Sequence, residues 1–458
     1  MEPIKLKDVV SAVKGKVLSG EIENKEILSV TKDSREKANK GLFIAIKGEN
    51  TDGHRYIEDA VQNGAVAVLV NDEPDTYVQG VVYIQVEDSV KALQDLATEY
   101  RARFNIPFVA VTGSVGKTTT KDMIASVLAT KYKVLKTAGN FNSEIGAPMT
   151  ILGLNNNYEI AVIEMGMDHL GQIANISKIV KPDTAVITNV GVAHIEYLKT
   201  RENILKAKCE VFENLAKDGV GILNADDDML IKVDNKFEKI WYGKSDSADI
   251  RVENVVVDYA DGVVKATLCL GEERYGIKIP GLSEHLVYSA MSAIAVGLRY
   301  GLSVQQAIDG VANYTHTKMR MDIYKLKNNI LVIDDTYNAN PDSMKSLIDT
   351  VKKADKTHKI LILGDMFELG EKSNELHIEV LDYAITNGIN KIFVVGDNMN
   401  KAASILQNEH IICFDTKEDL VNNLSKIVVS NSIIAIKASR GMKFENITEK
   451  ILENYMLL

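Results

Sequence analysis

Cysteine is scarce in this chain. Its three cysteines, Cys209, Cys269 and Cys413, are odd in number and far apart. That excludes a disulfide framework and fits a reducing compartment. No apolar run is long enough to cross a bilayer, and Met1 to Val10 has no apolar core of signal-peptide length. These absences predict a cytoplasmic protein with no membrane insertion. Positive charge is not in excess either. The formal net charge is −10, so nothing points to nucleic-acid or membrane binding, although local cations can still hold an anionic substrate. The chain has no internal repeat, no low-complexity segment and no GxGxxG fingerprint, so a dinucleotide site is unsupported. What remains is ordinary for a globular enzyme: 46% apolar and 25% charged residues over 458 positions. At roughly 100–200 residues per domain, that length predicts several domains.

One segment carries a definite chemistry. Val109 to Lys121 reads VAVTGSVGKTTTK. An apolar strand, Ile106 to Val111, stops at a turn of Thr112, Gly113, Ser114, Val115 and Gly116, and Lys117, Thr118 and Thr119 then open a helix. This is the layout of a phosphate-binding loop. Backbone N–H groups face phosphate oxygens, the helix N-terminus adds partial positive charge, Lys117 reaches the terminal phosphates and the Thr118 hydroxyl meets Mg²⁺. The usual pattern has four residues between its glycines; here two separate Gly113 from Gly116, and Val111 stands where the first glycine is usual. The alternative is a chance Gly-Lys-Thr turn. The preceding strand and the amphipathic run of Met123, Ile124, Val127 and Leu128 argue against it.

The first 86 residues read as a small α/β unit, with apolar runs at Leu42 to Ile46, Ala65 to Val70 and Val81 to Val86 and a helical stretch at Tyr56 to Asn63. A helix is expected over Glu87 to Phe104, leading into the phosphate-loop strand. In the central part, residues 87–318, apolar strands at Ile160 to Ile163, Ala185 to Thr188 and Gly219 to Leu223 alternate with helical patterns, which predicts a parallel sheet covered on both faces. Glu238 to Ile279 alternates apolar and polar residues around Asp261-Gly262 and Gly271-Glu272 and reads as antiparallel strands. A helix follows at Glu284 to Tyr300. Residues 319–458 have a βα rhythm, with strands at Ile330 to Ile333, Ile360 to Leu363, Lys391 to Val395, Ile411 to Phe414 and Ile433 to Ile436. The fold class is α/β.

Ligands of open α/β sheets bind at the carboxyl ends of the strands, and several candidate residues lie there. Glu164 follows a strand and is placed for a hard cation. His194, in TNVGVAHIEYL, follows another, although a lone histidine is more often structural. Lys208 shares a helical stripe with Ile204, Val211 and Leu215 in a helix read over Arg201 to Lys217, while Lys206, Glu210, Glu213 and Lys217 take the opposite face. A lysine buried there loses proton affinity and, as a neutral amine, can add CO₂ to become an anionic carbamate. Read alone, the residue equally suits an ammonium that snorkels to water. Asn140, in KTAGNFNSEIGAPMTIL, can contact phosphate or merely form a turn. Asp335, in VIDDTYNANPDSM, can hold ribose hydroxyls, and Arg320 can pair with a terminal phosphate. Ser34 and Arg35, in TKDSR, can meet a diphosphate or form a solvated loop.

Taken together, TKDSR, GLFIAIKGENTDGH, TGSVGKTTTK, AGNFNSEIGAPMT, TNVGVAHIEYL, AKCEVFENL, DDTYNANPDSM and GDMFELG resemble the Mur ligases of peptidoglycan synthesis over essentially the whole chain. The short phosphate loop is typical of that superfamily. YNANPDSM and GDMFELG favour the branch that joins D-alanyl-D-alanine to UDP-N-acetylmuramoyl-tripeptide, and no Asp-Asn-Pro-Arg motif marks the diaminopimelate-adding branch. The resemblance implies three domains: residues 1–86 for the UDP substrate, 87–318 for ATP on a P-loop parallel sheet with an antiparallel extension, and a Rossmann-like 319–458 that closes on ATP and the incoming dipeptide. It implies ATP and Mg²⁺ as cofactors and a monomer. It assigns Lys117 and Thr118 to phosphate and Mg²⁺, and Asn140 to the nucleotide. It makes Glu164, His194 and a carbamylated Lys208 metal ligands. Arg320 and Asp335 go to phosphate and ribose, and Ser34 and Arg35 to the uridine nucleotide. Three positions depart from the family pattern: Ser143 after Asn142, Ser289 where an adenine-contacting asparagine is common, and Met319 where glycine is frequent. Other readings are a different Mur-type or folylpolyglutamate synthase-like ligase, or a non-catalytic nucleotide-binding regulator.

Overall fold

The computed structural model describes residues 1–48, 51–233 and 236–455. Glu49 and Asn50 of the GLFIAIKGENTDGH segment lie outside the described residues. Three main sheets follow one another along the chain, each with helices packed against it.

The first sheet runs in the order Lys16–Ser19, Val82–Gln85, Ala65–Val70, Gly41–Ile44 and Ser29–Thr31. Apolar packing does not stop at its edge. Leu42, Leu69 and Ile84 share one buried cluster with Leu93, Leu96 and Tyr100 of the helix Ser89–Arg101, and with Ala110 and Ile163 of the second sheet. The Tyr100 hydroxyl, buried in that seam, donates to the Leu154 carbonyl at 2.6 Å and accepts from the Glu2 amide at 2.6 Å. Burial pushes its pKa up to about 12, so it stays a neutral donor.

The second sheet has nine strands. From one edge they are Glu273–Pro280, Val263–Leu270, Ile250–Asp258, Glu238–Gly243, Val220–Asn224, Thr184–Ile187, Phe108–Thr112, Ile160–Glu164 and Val134–Lys136. The phosphate-loop strand Phe108–Thr112 therefore sits between Thr184–Ile187 and Ile160–Glu164, and all three are parallel. The chain builds outward on one side of this strand and then crosses to the other, which opens a crevice at its carboxyl end. Two expectations need correction here. Glu238–Gly243 is not antiparallel: it runs parallel to Val220–Asn224, because the intervening stretch is long enough to carry the chain back across the sheet. Antiparallel pairing starts only after Ile250–Asp258. The helix read over Arg201 to Lys217 is also shorter. It ends at Cys209 and tightens into a 3-10 turn, Glu210–Phe212. Glu210 is buried rather than on a polar face, since its carboxylate accepts from the Gly171 and Ala174 amides at 2.7 and 3.1 Å, at the start of the helix Gln172–Val180.

The third sheet runs Asp322–Leu326, Ile330–Asp334, Ser432–Lys437, His358–Gly364, Lys391–Val395 and Ile411–Phe414. Five strands are parallel as expected. The edge strand Asp322–Leu326, absent from the sequence reading, is antiparallel. The link into this sheet holds Met319 and Met321 at φ 63° and 60°. A left-handed conformation costs a side-chain-bearing residue about 1–2 kcal/mol, which explains why glycine suits the first of these positions.

The helix that carries the phosphate loop, Lys117–Leu128, is clasped by Leu286–Arg299 and Val304–Ala312. The clasp depends on Gly310. A Cβ there would lie 2.4 Å from the Val127 Cα, and the Gly310 carbonyl accepts from Ser126 Oγ at 2.7 Å. The close neighbour is helix backbone and cannot swing away. Gly310→Ala is expected to cost about 1–3 kcal/mol, read as a lower midpoint in urea unfolding, and an unchanged midpoint would refute this packing.

Candidate functional site

Two cavities flank the phosphate loop. The larger, about 690 Å³, has Ser114, Lys117, Asn140, Asn142, Glu164 and His194 on the central side, and Arg320, Tyr337, Phe367, Glu368 and Arg440 on the other. The second, about 550 Å³, is bounded by Gly116, Thr120, Asn189, Asp226, Tyr242, His285, Tyr288, Ser289 and Asp342. Both lie at the carboxyl ends of parallel strands and are lined by strand-end loops and the helices that follow them.

The loop's shape is dictated by its neighbours. Gly113 has φ 152°, and a Cβ on it would lie 1.8 Å from Thr188 Oγ1, so no other residue fits. Thr188 Oγ1 donates to the Val115 carbonyl at 2.6 Å, and Asn189 Oδ1 accepts from the Val115 amide at 2.9 Å. The Ser114 amide donates to the Asn189 carbonyl at 3.0 Å, and Ser114 Oγ accepts from the Gly191 amide at 2.9 Å. Gly116, at φ 81°, turns the chain into the helix. Thr112 Oγ1 is buried without a hydrogen-bond partner, and Thr119 lies half-buried on the first helical turn.

Lys117 Nζ donates to the Gly113 and Ser114 carbonyls at 2.8 and 3.3 Å. Burial lowers its pKa, Glu164 opposes that, and the positive charge of Arg320 adds to the lowering. Thr118 Oγ1 lies 3.2 Å from Glu164 Oε1, which also accepts from Asn142 Nδ2 at 2.8 Å. Glu164 is 1% exposed and its Oε2 has no partner. Its backbone is pinned where the Glu164 amide donates to Thr137 Oγ1 at 2.9 Å. A carboxylate oxygen and a hydroxyl held together at a strand end fit Mg²⁺, which takes hard oxygen donors. Mg²⁺ usually draws the rest of its shell from water and substrate phosphates. That agrees with the absence, among the described residues, of any cluster of three or more His, Cys, Asp or Glu able to hold a metal alone.

Lys208 is 1% exposed on the helix Arg201–Cys209. Burial, reinforced by the charge of Lys117, drives its pKa well below the usual lysine range. The side chain does not snorkel. Lys208 is not on the wall of either cavity, yet Lys117 is within electrostatic reach of it. His194, at φ 62°, faces across the larger cavity to Glu368 of the third sheet's loops. Its Nδ1 lies 2.9 Å from Glu368 Oε2, within ion-pair range but without hydrogen-bond alignment. His194 holds the Glu368 carboxyl below its ordinary range. Arg320 stacks on Tyr337, 4.1 Å from its ring centroid, and its Nε is buried without a partner.

The structure therefore brings Lys117, Asn140, Glu164, His194 and Arg320 to one cavity, with Thr118 against Glu164 and Lys208 within electrostatic reach of Lys117. It does not bring Asp335, Ser34 or Arg35 to either cavity wall. Asp335 is ion-paired with Lys437, itself 3% exposed. Ser34 is buried in the first sheet's loops, while the Arg35 side chain is 86% exposed and paired with Asp33 at 2.6 Å. Ser289 Oγ sits 2.9 Å from Thr120 Oγ1 on the wall of the second cavity.

Sequence reasoning missed Asn189, which braces the loop, and Asn142, which holds Glu164. It also missed Asp226, His285, Tyr288 and Asp342 of the second cavity, and Arg440 on the wall of the larger one. Asn189 follows a buried strand as Glu164 does, and the same strand-end rule would have found it.

Known proteins place this geometry. The Mur ligase middle domain matches residues 111–297, the Mur ligase glutamate ligase domain residues 319–440, and the Mur ligase catalytic domain residues 26–101. A UDP-N-acetylmuramoyl-tripeptide–D-alanyl-D-alanine ligase of Bacillus subtilis is 36% identical over 454 residues, 98% of each chain. The crystal structure of MurF from Acinetobacter baumannii superposes with a TM-score of 0.91 at 28% identity, covering 99% of both chains. That of MurF from Thermotoga maritima, in complex with ADP, gives 0.82 at 30% identity, covering 92% of this chain and 96% of that one. At this identity and coverage, and with all three domain models matching, this chain belongs to the Mur ligase family.

Proposed function

We propose that this chain is an ATP-dependent amide ligase that adds D-alanyl-D-alanine to UDP-N-acetylmuramoyl-tripeptide in peptidoglycan precursor synthesis. The observation that carries the reading is the larger cavity, where a phosphate loop and a buried carboxylate face a second wall that carries Arg320. One wall suits an activated acyl donor and the other an incoming amine.

The reaction begins with the tripeptide carboxylate attacking the γ-phosphate of ATP to give an acyl phosphate and ADP. The amine of the dipeptide then attacks that carbonyl, a C–N bond forms, and phosphate leaves with the C–O electron pair. The first step crowds anions together, so charge fixed in advance is the main catalytic contribution. Lys117 and Arg320 supply it at the terminal phosphate. The loop amides and the start of the helix Lys117–Leu128 hold the other phosphates. Thr118 and Glu164 would hold Mg²⁺, with His194 and a carbamylated Lys208 completing its surroundings; bound there, the ion neutralises phosphate charge. Carbamylation of Lys208 is supported by its burial and lowered proton affinity. The second cavity, lined by His285, Tyr288 and Ser289 beside Gly116, suits the adenosine end of ATP, and Asn140 the phosphates. Closure of the two walls excludes water that would hydrolyse the acyl phosphate.

Residues 1–86, with Ser34 and Arg35, are assigned to the UDP end of the substrate, residues 87–318 to ATP, and residues 319–458 to closure, with Asp335 toward ribose. A monomer acting in the cytoplasm is the working unit of this reading. Among the described residues no helix is long and apolar enough to cross a membrane.

Phosphate release is the test. With ATP and UDP-N-acetylmuramoyl-tripeptide, D-alanyl-D-alanine should stimulate it, and a panel of single amino acids should not. Stimulation by glutamate or diaminopimelate instead would reassign the branch. Running the assay with lysine- and diaminopimelate-containing tripeptides identifies the third residue. Lys117→Ala should lower kcat/KM by at least about 10²–10³-fold, and near-normal turnover would remove the phosphate-loop assignment. Lys208→Ala should be inactive and partly restored by a short carboxylic acid. An active variant with no response to the acid would leave Lys208 a structural lysine.

A further inference from the structure

The reaction as derived brings three side chains to the terminal phosphate and its cation: Lys117, Glu164 and Arg320. Lys117 opens the helix Lys117–Leu128, Glu164 ends a neighbouring strand, and Arg320 lies on the link between the second and third sheets. One turn further along that helix stand two charged residues the reaction does not use, Lys121 and Asp122. They are 2% and 4% exposed, and charged side chains are almost never that deep unless paired. Asp122 Oδ1 accepts from Lys136 Nζ at 2.7 Å and lies 3.0 Å from Lys121 Nζ. Asp122 Oδ2 accepts from the hydroxyl of Thr317, which is on the link.

Burial pushes the Asp122 carboxyl up, but Lys121, Lys136 and the Thr317 hydroxyl outweigh it and hold the group below the ordinary carboxylate range. An ionised carboxylate only accepts, so Thr317 is the donor, and the bond is of the stronger, charge-assisted kind. Two arms leave the helix here. In the first, Lys121 Nζ donates to the Thr137 carbonyl at 2.8 Å, and Thr137 Oγ1 accepts from the Glu164 amide at 2.9 Å. In the second, Asp122 holds Thr317, and the Thr317 carbonyl accepts from the Arg320 amide at 3.2 Å. His316, just before Thr317, adds to the hold on this side: its Nε2 donates to the Pro280 carbonyl at 3.0 Å. From Met319 onward the chain is tied to the third sheet, since the Met319 amide donates to Asp322 Oδ2 at 2.7 Å and its carbonyl accepts from the Tyr337 amide at 3.1 Å. Arg320 therefore stands where the hold passes from the second sheet to the third. Its guanidinium rests on the Tyr337 ring with Nε unpartnered, so its reach depends on where its backbone is set.

We propose that Asp122 and Thr317 are positioning residues that set Arg320 against the terminal phosphate, so that one helix aligns Lys117 directly, Glu164 through Thr137 and Arg320 through Thr317. The inference rests on the ligase reading and adds two residues that line neither cavity. An arginine that stabilises a transferring phosphoryl group must be in place before the charge develops, and a misplacement of about 1 Å costs about 10²-fold in rate. Thr317 is the better of the pair to test. Removing the Asp122 carboxylate would strand the buried Lys121, whereas Thr317 is half-buried and valine keeps its shape without the donor.

Steady-state kinetics on the full-length enzyme test this, read as phosphate release with ATP, UDP-N-acetylmuramoyl-tripeptide and D-alanyl-D-alanine. Thr317→Val should lower kcat by about 10- to 100-fold and leave each KM within about twofold, because the arginine acts on the transition state. Thr317→Ser, which keeps the hydroxyl, should restore most of kcat. Thr317→Ala removes the donor without crowding Asp122; it should behave as valine does, and it carries the test if the valine variant does not fold. A double-mutant cycle gives the readout that a merely structural bond would not move. In an Arg320→Met background Thr317→Val should cost nothing further, because the bond acts through the arginine. If Thr317→Val and Thr317→Ala keep the wild-type kcat, or if their loss is undiminished without Arg320, the positioning role is wrong and the ligase reading stands. If the wild type releases no phosphate with D-alanyl-D-alanine, the ligase reading fails and takes the positioning role with it.

Discussion

Three basic side chains are gathered around the phosphate loop, and burial together with the acids Glu164 and Glu368 sets their electrostatics. Lys117 is bonded only to the neutral carbonyls of Gly113 and Ser114, Arg320 is stacked on a ring, and Lys208 is buried behind them. Burial is the main cause of the lowered proton affinity of both lysines; Arg320 adds to it at Lys117, where Glu164 opposes it, and Lys117 adds to it at Lys208. In a partly desolvated pocket such repulsion is far stronger than in water. A polyanion that enters the loop relieves it.

The rest of the architecture keeps that arrangement in place. Gly113 lets the loop approach Thr188, and the segment from Thr188 to Gly191 returns hydrogen bonds to Val115 and Ser114. The same segment is gripped from the far side, since Asp342, at the start of the helix Pro341–Lys353, accepts from the Val192 amide at 3.2 Å. The strand-end loop of the central sheet is therefore shared by the phosphate loop and the third sheet. His194 and Glu368 meet a few residues further along it. The phosphate loop and the helix Pro341–Lys353 of the third sheet therefore bear on one piece of backbone.

Much of this was legible in the sequence, and the exceptions follow a pattern. Local periodicity found the strands, placed Glu164 and His194 at strand ends, and put Lys208 on an inward stripe, because those signals lie within one element. Contacts between distant elements were not legible. Glu210 looked like a surface residue by helical spacing, yet it is drawn inward by amides 36 and 39 residues away in sequence. Asp335 stood at a strand end as expected, but Lys437, 102 residues later, claims its carboxylate. Glu238–Gly243 alternates like an antiparallel strand, and its direction is set by the crossover before it. Glu368 was inside a quoted motif, but its place on the cavity wall comes from a left-handed backbone that no spacing rule predicts.

The departures from the family pattern make sense in the same terms. Met319 occupies a left-handed position where glycine is frequent, so its backbone carries strain that glycine would not. The structure surrounds it with compensating contacts: its amide donates to Asp322 Oδ2 at 2.7 Å, its carbonyl accepts from the Tyr337 amide at 3.1 Å, and Arg440 Nη1 approaches its Sδ at 3.3 Å. Two of these partners, Tyr337 and Arg440, line the larger cavity. A glycine would free the backbone but lose the sulfur contact that helps orient Arg440. The Met319 side chain therefore links the chain entering the third sheet to Arg440 on the wall of the larger cavity.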